Sequence, residues 1–352
     1  MTSNNEQSPN QSISANVLDE LCFIPASLDS RLKEFKKVDL TSRFSAAEKH
    51  AKTRITSPFV LRSLINSPWQ PDQIDELCGA IRAVGGAVVA ESKALSRVTI
   101  SNIPFRSCPV FVDSCPDTAE LESADVVELQ MFAKDNASLQ LNPRVAQWPW
   151  DVMDTERLAK KIEVLRQLAG STIPVGVAIP AGAVRDDVTL LIRCGADFVT
   201  LVNRSDAIQS PALPDPWIAV TARNAANQAG NPNLPIFLAG SIRNGSDIAK
   251  LLALGVNGFV VDGLASPQSP TKTATVDPMS YSRLSDITSG FVVTNPPVPS
   301  ETAVDVLTRL ISELTHTLKI CGYENLAALS DKHLFATSNR AQQLTGIPML
   351  SP

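Results

Sequence analysis

The chain has 352 residues, 44% of them hydrophobic and 19% charged, which suffices for the core of one large domain. Its formal net charge of −5 and its pI of about 5.4 argue against a nucleic acid or an anionic membrane as partner. No apolar run approaches the roughly 20 residues of a membrane span, so we expect no membrane-spanning segment.

The first 16 residues are polar and lack the apolar centre of a secretory signal, so we expect them to be disordered. Residues 17–56 are predicted to form an N-terminal extension that packs on the following domain. The cysteines form no C-x-x-C pair, and the few histidines lie in polar or terminal segments, which argues against a zinc site or a histidine-based catalytic dyad. We therefore expect free thiols in a reducing cytoplasm. The cysteines are Cys22, Cys78, Cys108, Cys115, Cys194 and Cys321, and the histidines are His50, His316 and His333.

Short apolar runs alternate with amphipathic stretches from residue 57 to residue 264. Such alternation indicates parallel β/α units, and eight of them predict a (β/α)8 TIM barrel with an N-terminal extension and C-terminal helices. A doubly wound open sheet is the alternative, although no G-x-G-x-x-G opens a first helix. The predicted strands are 59–61, 87–90, 110–112, 126–129, 175–179, 198–202, 236–239 and 259–261, and the predicted helices are 72–84, 118–123, 155–168, 186–193, 217–228 and 246–254.

Residues 234–263 form the most informative of these units. An apolar run stops at Gly240, and a polar loop leads into a helix that we expect Ser246 or Asp247 to cap. In a parallel barrel, the loops after strands seven and eight build an anion site. Its candidate residues, a phosphate cradle of backbone donors and one guanidinium, are Gly240, Ser241, Arg243 and Gly263.

Asp262 argues against a phosphate at this cradle. A carboxylate within about 5 Å of a phosphate dianion is repelled by several kcal/mol unless a cation lies between them. Arg243 could pair with Asp262 instead and close the site. The alternative to a binding site is therefore a turn that merely joins a strand to its helix.

Residues 265–300 are rich in proline, serine and threonine and predict a long surface loop. Residues 301–352 predict a helical segment, whose first helix runs over 301–321 with Ser300 as its cap and Gly322 as its end. Two short helices follow, near 324–329 and 338–344. We expect this segment to pack under the barrel, with a subunit contact as the alternative.

Three acidic residues lie at or near the ends of predicted strands, where barrel enzymes place their catalytic groups. These residues, Glu91, Asp113 and Glu128, are candidates for a repurposed site. The alternative is that they cap helices or pair with arginines.

Several segments, taken in order, resemble the FMN-binding barrel domain of the glutamate synthase family. LDELCFIPASL (18–28) resembles its entry segment, ADVVELQM (124–131) its fourth strand, and PVGVAI (174–179) its fifth. The unit at 234–263 is similar to the family's "GGIRxGxDxAKALALGAxxVxxG", and residues 310–330 resemble its closing helices. The resemblance implies the barrel fold, an FMN site and oxidoreductase chemistry on CH–NH2 donors in amino-acid nitrogen metabolism.

The same resemblance marks positions that differ from the family. The lysine of its fifth strand is Ala178 here, that of its fourth strand is Gln130, and its glycine-rich loop is replaced by residues 203–216, which contain no glycine. The family's iron–sulfur cysteines and amidotransferase module are absent. A redox flavin needs positive charge near its ring, which Ala178 and Gln130 do not supply.

Two hypotheses follow. The first is a glutamate synthase-like barrel that has lost its FMN and acts as a non-catalytic scaffold or regulatory subunit, a pseudoenzyme. The alternative is an FMN-dependent oxidoreductase of glutamate synthase type. Under either hypothesis we expect a cytoplasmic protein that forms a homo-oligomer or binds partner subunits.

Overall fold

The computed structural model describes residues 16–27, 37–47, 53–62, 71–90, 95, 105–111, 118–131, 154–203, 213–240, 242–261 and 302–349. The element bounds below refer to these residues. The predicted segments 1–15 and 265–300 lie outside them.

Eight parallel strands close into a barrel, as predicted from their alternation with helices. Around the barrel they follow chain order, with the eighth strand paired to the first. Their sequences are almost uniformly apolar because each strand is buried on both faces. In chain order the barrel strands are β4 (Phe59–Leu61), β5 (Ala87–Val89), β6 (Phe105–Phe111), β7 (Val126–Gln130), β8 (Val175–Pro180), β9 (Val199–Val202), β10 (Ile236–Ala239) and β11 (Gly258–Val261).

Helices surround the barrel between these strands and after the last one. They bury one apolar face each against the sheet, as their helical spacing of leucine, isoleucine and valine predicts. The helices are α1 (Pro71–Ala83), α2 (Thr118–Glu122), α3 (Thr155–Ala169), α4 (Val184–Arg193), α5 (Asp215–Gln228), α6 (Gly245–Ala253), α7 (Ala303–Cys321) and α8 (Asn339–Thr345).

Four short strands lie outside the barrel. β1 (Leu21–Phe23) pairs antiparallel with β12 (Leu334–Ala336), which joins the two ends of the described chain. β2 (Ser42–Arg43) pairs with β3 (Arg54–Ile55). The domain boundaries predicted at 17–56, 57–264 and 301–352 stay predictions.

A phenylalanine from the N-terminal extension closes the amino end of the barrel. The Phe44 ring stacks on Phe105 and Phe237, with centroids 5.4 and 4.6 Å apart, and meets Phe198 edge-on at 5.1 Å. Gly176 and Gly258 leave space for this cluster, since a Cβ on Gly258 would lie 2.6 Å from the Phe237 ring and one on Gly176 would overlap Phe198. The interior at this end is therefore a packed aromatic core.

The third barrel strand is longer than the prediction, which began it at residue 110. It starts at Phe105 and includes Arg106, which forms an ion pair with Glu120. The guanidinium lies 3.1 Å from Glu120 Oε2 and donates to Ser123 Oγ at 2.6 Å. Because Arg106 interrupts the run of apolar residues, the hydrophobic pattern did not show where the strand begins.

Helix α7 packs against α6 and α1. Its N-cap is Thr302, whose side chain forms a capping box with Asp305, so the predicted cap at Ser300 is wrong by two residues. Gly322 ends it in the left-handed conformation, with φ of 80°, as expected.

No helix among the described residues is long and apolar enough to cross a membrane.

The cysteines within the described residues form no disulfide with one another, and four of the five are buried. Burial raises the pKa of the Cys78 thiol to about 12 and that of Cys321 to about 11. Both thiols are protonated at neutral pH and are therefore poor nucleophiles.

Candidate functional site

Polar side chains gather inside the barrel near the carboxyl ends of its strands, the end that carries the active site in TIM-barrel enzymes. We call this end the mouth. Arg62, the first residue after β4, donates a hydrogen bond through Nη2 to Gln130 Oε1 at the end of β7. The two strands are three positions apart around the barrel, so Arg62 reaches over the mouth rather than to a neighbouring strand.

Gln130 is in turn held by Glu128 from the same strand. Gln130 Nε2 donates to Glu128 Oε2 at 2.5 Å, and Thr200 Oγ1 on β9 donates to Glu128 Oε1 at 2.5 Å. All three side chains are at most 3% exposed. Because a guanidinium only donates and a carboxylate only accepts, these contacts fix which end of the amide faces which neighbour.

Ala178 occupies the strand between these groups. It is in register with Gln130 on one side and with Thr200 on the other. Its methyl group brings no charge to the mouth. The positive charge comes instead from Arg62, two residues after Val60 on the first barrel strand.

Glu128 is therefore neither a helix cap nor the direct partner of an arginine in the described contacts. Among the three acidic candidates it alone falls within the described residues; Glu91 and Asp113 lie outside them. Arg62 and Thr200 were not predicted as site residues. A charged residue directly after an apolar strand was the available signal for Arg62, and a lone threonine inside an apolar strand was the signal for Thr200.

The ends of β9 and β10 carry a second polar group. Asn203 Nδ2 donates to Asp215 Oδ1 at 2.6 Å and to the Leu213 carbonyl at 2.8 Å. The Asp215 carboxylate lies so close to Gly240 that a Cβ there would be 2.6 Å from Asp215 Oδ2 and would overlap Oδ1. Gly240 is thus required by the carboxylate beside it.

Arg243 is bound by two carboxylates. Its guanidinium donates to Asp19 at 2.6 and 2.9 Å and to Asp247 at 2.7 and 3.0 Å. The hydrogen bond with Arg243 lowers the pKa of Asp19, and the two carboxylates raise the pKa of Arg243. Arg243 thereby ties the loop after β10 to the N-terminal extension.

The cap of helix α6 differs from the prediction. Asn244 is the cap, since its Oδ1 accepts a hydrogen bond from the Asp247 backbone N–H at 2.9 Å. The Asp247 side chain forms an ion pair with Arg243 instead of capping the helix. Ser241, Asp262 and Gly263 of the predicted cradle lie outside the described residues, so the cradle stays a prediction. No cluster of three metal-ligating side chains occurs in the part of the chain that the structure describes.

Comparison with known proteins finds one curated relative over part of the chain and solved structures that share its fold. No family model matches the chain. One curated relative, an L-lactate oxidase from Roseobacter sp. (strain GAI101), is 28% identical over 169 residues, which are 48% of this chain and 37% of that protein. The chain thus aligns with little more than a third of its curated relative.

Solved structures share the fold over most of the chain. An active chimera of (S)-mandelate dehydrogenase gives a TM-score of 0.57 at 15% identity, covering 91% of this chain and 89% of that one. A flavocytochrome b2 variant with sulfite bound gives 0.58 at 14%, covering 96% and 80%. A soluble mutant of the membrane-associated (S)-mandelate dehydrogenase from Pseudomonas putida gives 0.58 at 15%, covering 91% and 88%. At these identities the likeness shows the barrel fold.

These findings overturn the assignment to the glutamate synthase family, and with it the place in amino-acid metabolism. The matching segments are strands, helices and one strand–loop–helix–strand unit of a parallel barrel, so they indicated the fold and not the family. The hypothesis of a non-catalytic scaffold without flavin is also wrong. It rested on the neutral residues Ala178 and Gln130, whereas Arg62 brings a positive charge to Gln130 from another strand. The findings favour the alternative of a flavin-dependent oxidoreductase, though not of the glutamate synthase type.

The described residues fit the ring end of a flavin. The mouth combines the Arg62 guanidinium, the fixed amide of Gln130 and the small side chain of Ala178, groups that would contact a planar polar ring, although the amide and Ala178 are completely buried. The phosphate end of FMN would lie among residues that are mostly outside the described ones. Gly240, which the structure does describe there, has the Asp215 carboxylate beside it.

Proposed function

We propose that this protein is a flavin-dependent oxidoreductase that oxidises a small 2-hydroxy acid to the corresponding 2-oxo acid. The observation that carries the proposal is the 169-residue match to an L-lactate oxidase. The names of the barrels with the same fold, which act on (S)-mandelate or carry a flavin, point to the same substrate class.

The site chemistry supports this proposal. Oxidation of a 2-hydroxy acid removes two electrons and two protons from the alcohol, and bound FMN would supply the electron acceptor. Arg62 and Gln130 would hold the planar ring at the mouth. Lactate and mandelate are anions, which the Arg62 guanidinium would attract despite the chain's net charge of −5.

The proposal is tested by loading the purified protein with FMN, removing excess flavin and adding substrates without oxygen. We expect stoichiometric flavin whose absorbance bleaches with L-lactate or (S)-mandelate. (R)-lactate is the matched stereochemical control, and L-glutamate tests the rejected amino-acid chemistry. Neither of these two should bleach the flavin.

Two results would overturn the proposal. One is a protein that retains no FMN after incubation, and the other is a flavin-loaded protein that no 2-hydroxy acid in a panel of lactate, mandelate and longer-chain analogues bleaches. Admitting oxygen afterwards distinguishes an oxidase, which regains its colour, from a dehydrogenase that needs another acceptor. A cytoplasmic location stays a prediction.

A further inference from the structure

We propose that a groove beside the strand pair β1–β12 is the surface through which two copies of this chain form a two-fold dimer. This groove, which we call the tail groove, has a volume of about 380 Å³. It shares no residue with the candidate site at the mouth. Its apolar lining consists of Ile24, Leu334, Phe335, Ile347, Pro348 and Met349.

The small sheet that borders the tail groove is apolar on both faces. Its inner face carries Leu21, Leu334 and Ala336, which are at most 1% exposed and belong to the main core. Because side chains alternate along a strand, Cys22 and Phe335, which lie opposite each other, point to the outer face. An antiparallel sheet with one solvated face carries polar residues there, whereas a free cysteine and a phenylalanine behave as apolar groups. The composition of the outer face therefore indicates a surface that a partner covers.

Two large apolar side chains are exposed at the tail groove. Ile24 is 47% exposed and Met349 is 38% exposed. Both are held in place by the backbone, because the Ile24 N–H donates to the His333 carbonyl at 2.8 Å and Met349 forms a parallel bridge with Ala336. Methionine and aromatic side chains are enriched at the buried centre of protein interfaces, and charged residues are found at the rim. The tail groove has this arrangement.

The charges at its rim favour a second copy as the partner. Asp331 and Lys332 are neighbours in the short 3-10 helix Asp331–His333, and both are exposed and line the groove. Neither has an ion-pair partner among the residues that the structure describes. In a two-fold contact, residue i of one subunit meets residue j of the other while j meets i, so an acid and a base on one rim can pair with those of a second copy. The rim is thus self-complementary.

The test is the dimer dissociation constant of the full chain, measured by sedimentation velocity over a range of concentrations. We expect the wild type to dimerise reversibly. Ile24→Glu should raise the Kd at least about tenfold, because the new carboxylate would be buried in an apolar contact without a partner. Val164→Glu is the matched control, since Val164 is 41% exposed on α3, and it should leave the Kd unchanged. Urea unfolding confirms that both variants fold.

Charge reversal tests whether the partner is a second copy. Asp331→Lys and Lys332→Asp, made singly, would each place like charges opposite each other in the dimer and should raise the Kd. The double variant with both substitutions restores opposite charges across the contact and keeps the net charge. Its Kd should return towards that of the wild type, a recovery that a partner of any other sequence would not give.

Three results would overturn the inference. A wild type that stays monomeric at every concentration has no such contact. An assembly that Ile24→Glu leaves unchanged uses another face of the molecule. A double variant that associates as weakly as the single variants shows that the tail groove does not meet its own copy. Bleaching of bound FMN tests the proposed function separately from all three.

Discussion

Gly240 lies at the end of β10, where it leaves space for the Asp215 carboxylate. That carboxylate accepts a hydrogen bond from Asn203. Gly240 after β10, Asn203 after β9 and Asp215 at the start of α5 therefore pack together at the mouth. In the sequence, Gly240 indicated a phosphate cradle, because glycine permits a close approach of a ligand to the backbone. The close approach exists, but a side chain of the same molecule makes it.

We predict that Gly240→Ala destabilises the protein by about 2–3 kcal/mol, since its Cβ would overlap the Asp215 carboxylate. Gly182→Ala is the matched control because no atom lies within 4 Å of the position that its Cβ would take, and it should stay within about 0.5 kcal/mol of the wild type. Urea unfolding at equilibrium measures both changes. A cost for Gly240→Ala no greater than that of the control would contradict this account of the glycine.

At the scale of elements, the loop after β10 is fastened to the N-terminal extension. Asp19 and Arg243 form the tie, and Lys250 Nζ on α6 adds a hydrogen bond to the Leu18 carbonyl at 2.8 Å. Asp19 is half-exposed, so solvent screens much of the pair's attraction. The tie thus fixes position more than it adds stability.

Replacing Asp19 by asparagine should cost about 0.5 kcal/mol at pH 7, because exposed ion pairs contribute little. Arg243 lowers the folded-state pKa of Asp19 below its ordinary value of 3.8. The contribution is therefore complete above that value and disappears as the pH falls through the depressed pKa. Unfolding measured from pH 7 down to pH 3 should show the two proteins converging. A pH-independent difference, or one as small as that of the exposed control Glu122→Gln, would refute the assignment.

Most elements were predictable because the spacing of apolar residues that defines each helix or strand lies within that element's own sequence. β4, β10 and the end of α7 at Gly322 agree with the sequence patterns, since buried strands and glycine-terminated helices have clear signatures. The site was not predictable to the same extent. The contact between Arg62 and Gln130 joins residues 68 positions apart, and only the closure of the barrel brings them together. A pattern that is read along one strand cannot show a charge that arrives from another.

At the scale of the whole molecule, Phe44 closes the amino end of the barrel, and the polar side chains of the candidate site lie at the carboxyl end. Phe44 comes from the N-terminal extension, and its aromatic neighbours are Phe105 on β6, Phe237 on β10 and Phe198 directly before β9. This one residue of the extension is therefore part of the barrel's interior. Association with itself or with partner subunits stays a prediction, which light scattering of the purified protein would test.

We expect Phe44→Ala to destabilise the protein by about 3–5 kcal/mol, because the ring fills the amino end of the barrel and is 2% exposed. Phe44→Leu should cost less, since leucine fills part of the volume. Ile320→Ala on α7, at a position that is 53% exposed, is the control and should change stability by no more than about 0.5 kcal/mol. Thermal or urea unfolding gives the comparison, and equal costs for Phe44→Ala and Ile320→Ala would show that the aromatic cluster does not close the barrel.

The most direct test of a flavin-dependent hydroxy-acid oxidoreductase is the visible absorbance of the FMN-loaded protein when L-lactate is added without oxygen. The account predicts that the flavin band bleaches with L-lactate or (S)-mandelate and persists with (R)-lactate. A band that persists with every 2-hydroxy acid, or a protein that retains no flavin at all, would contradict it.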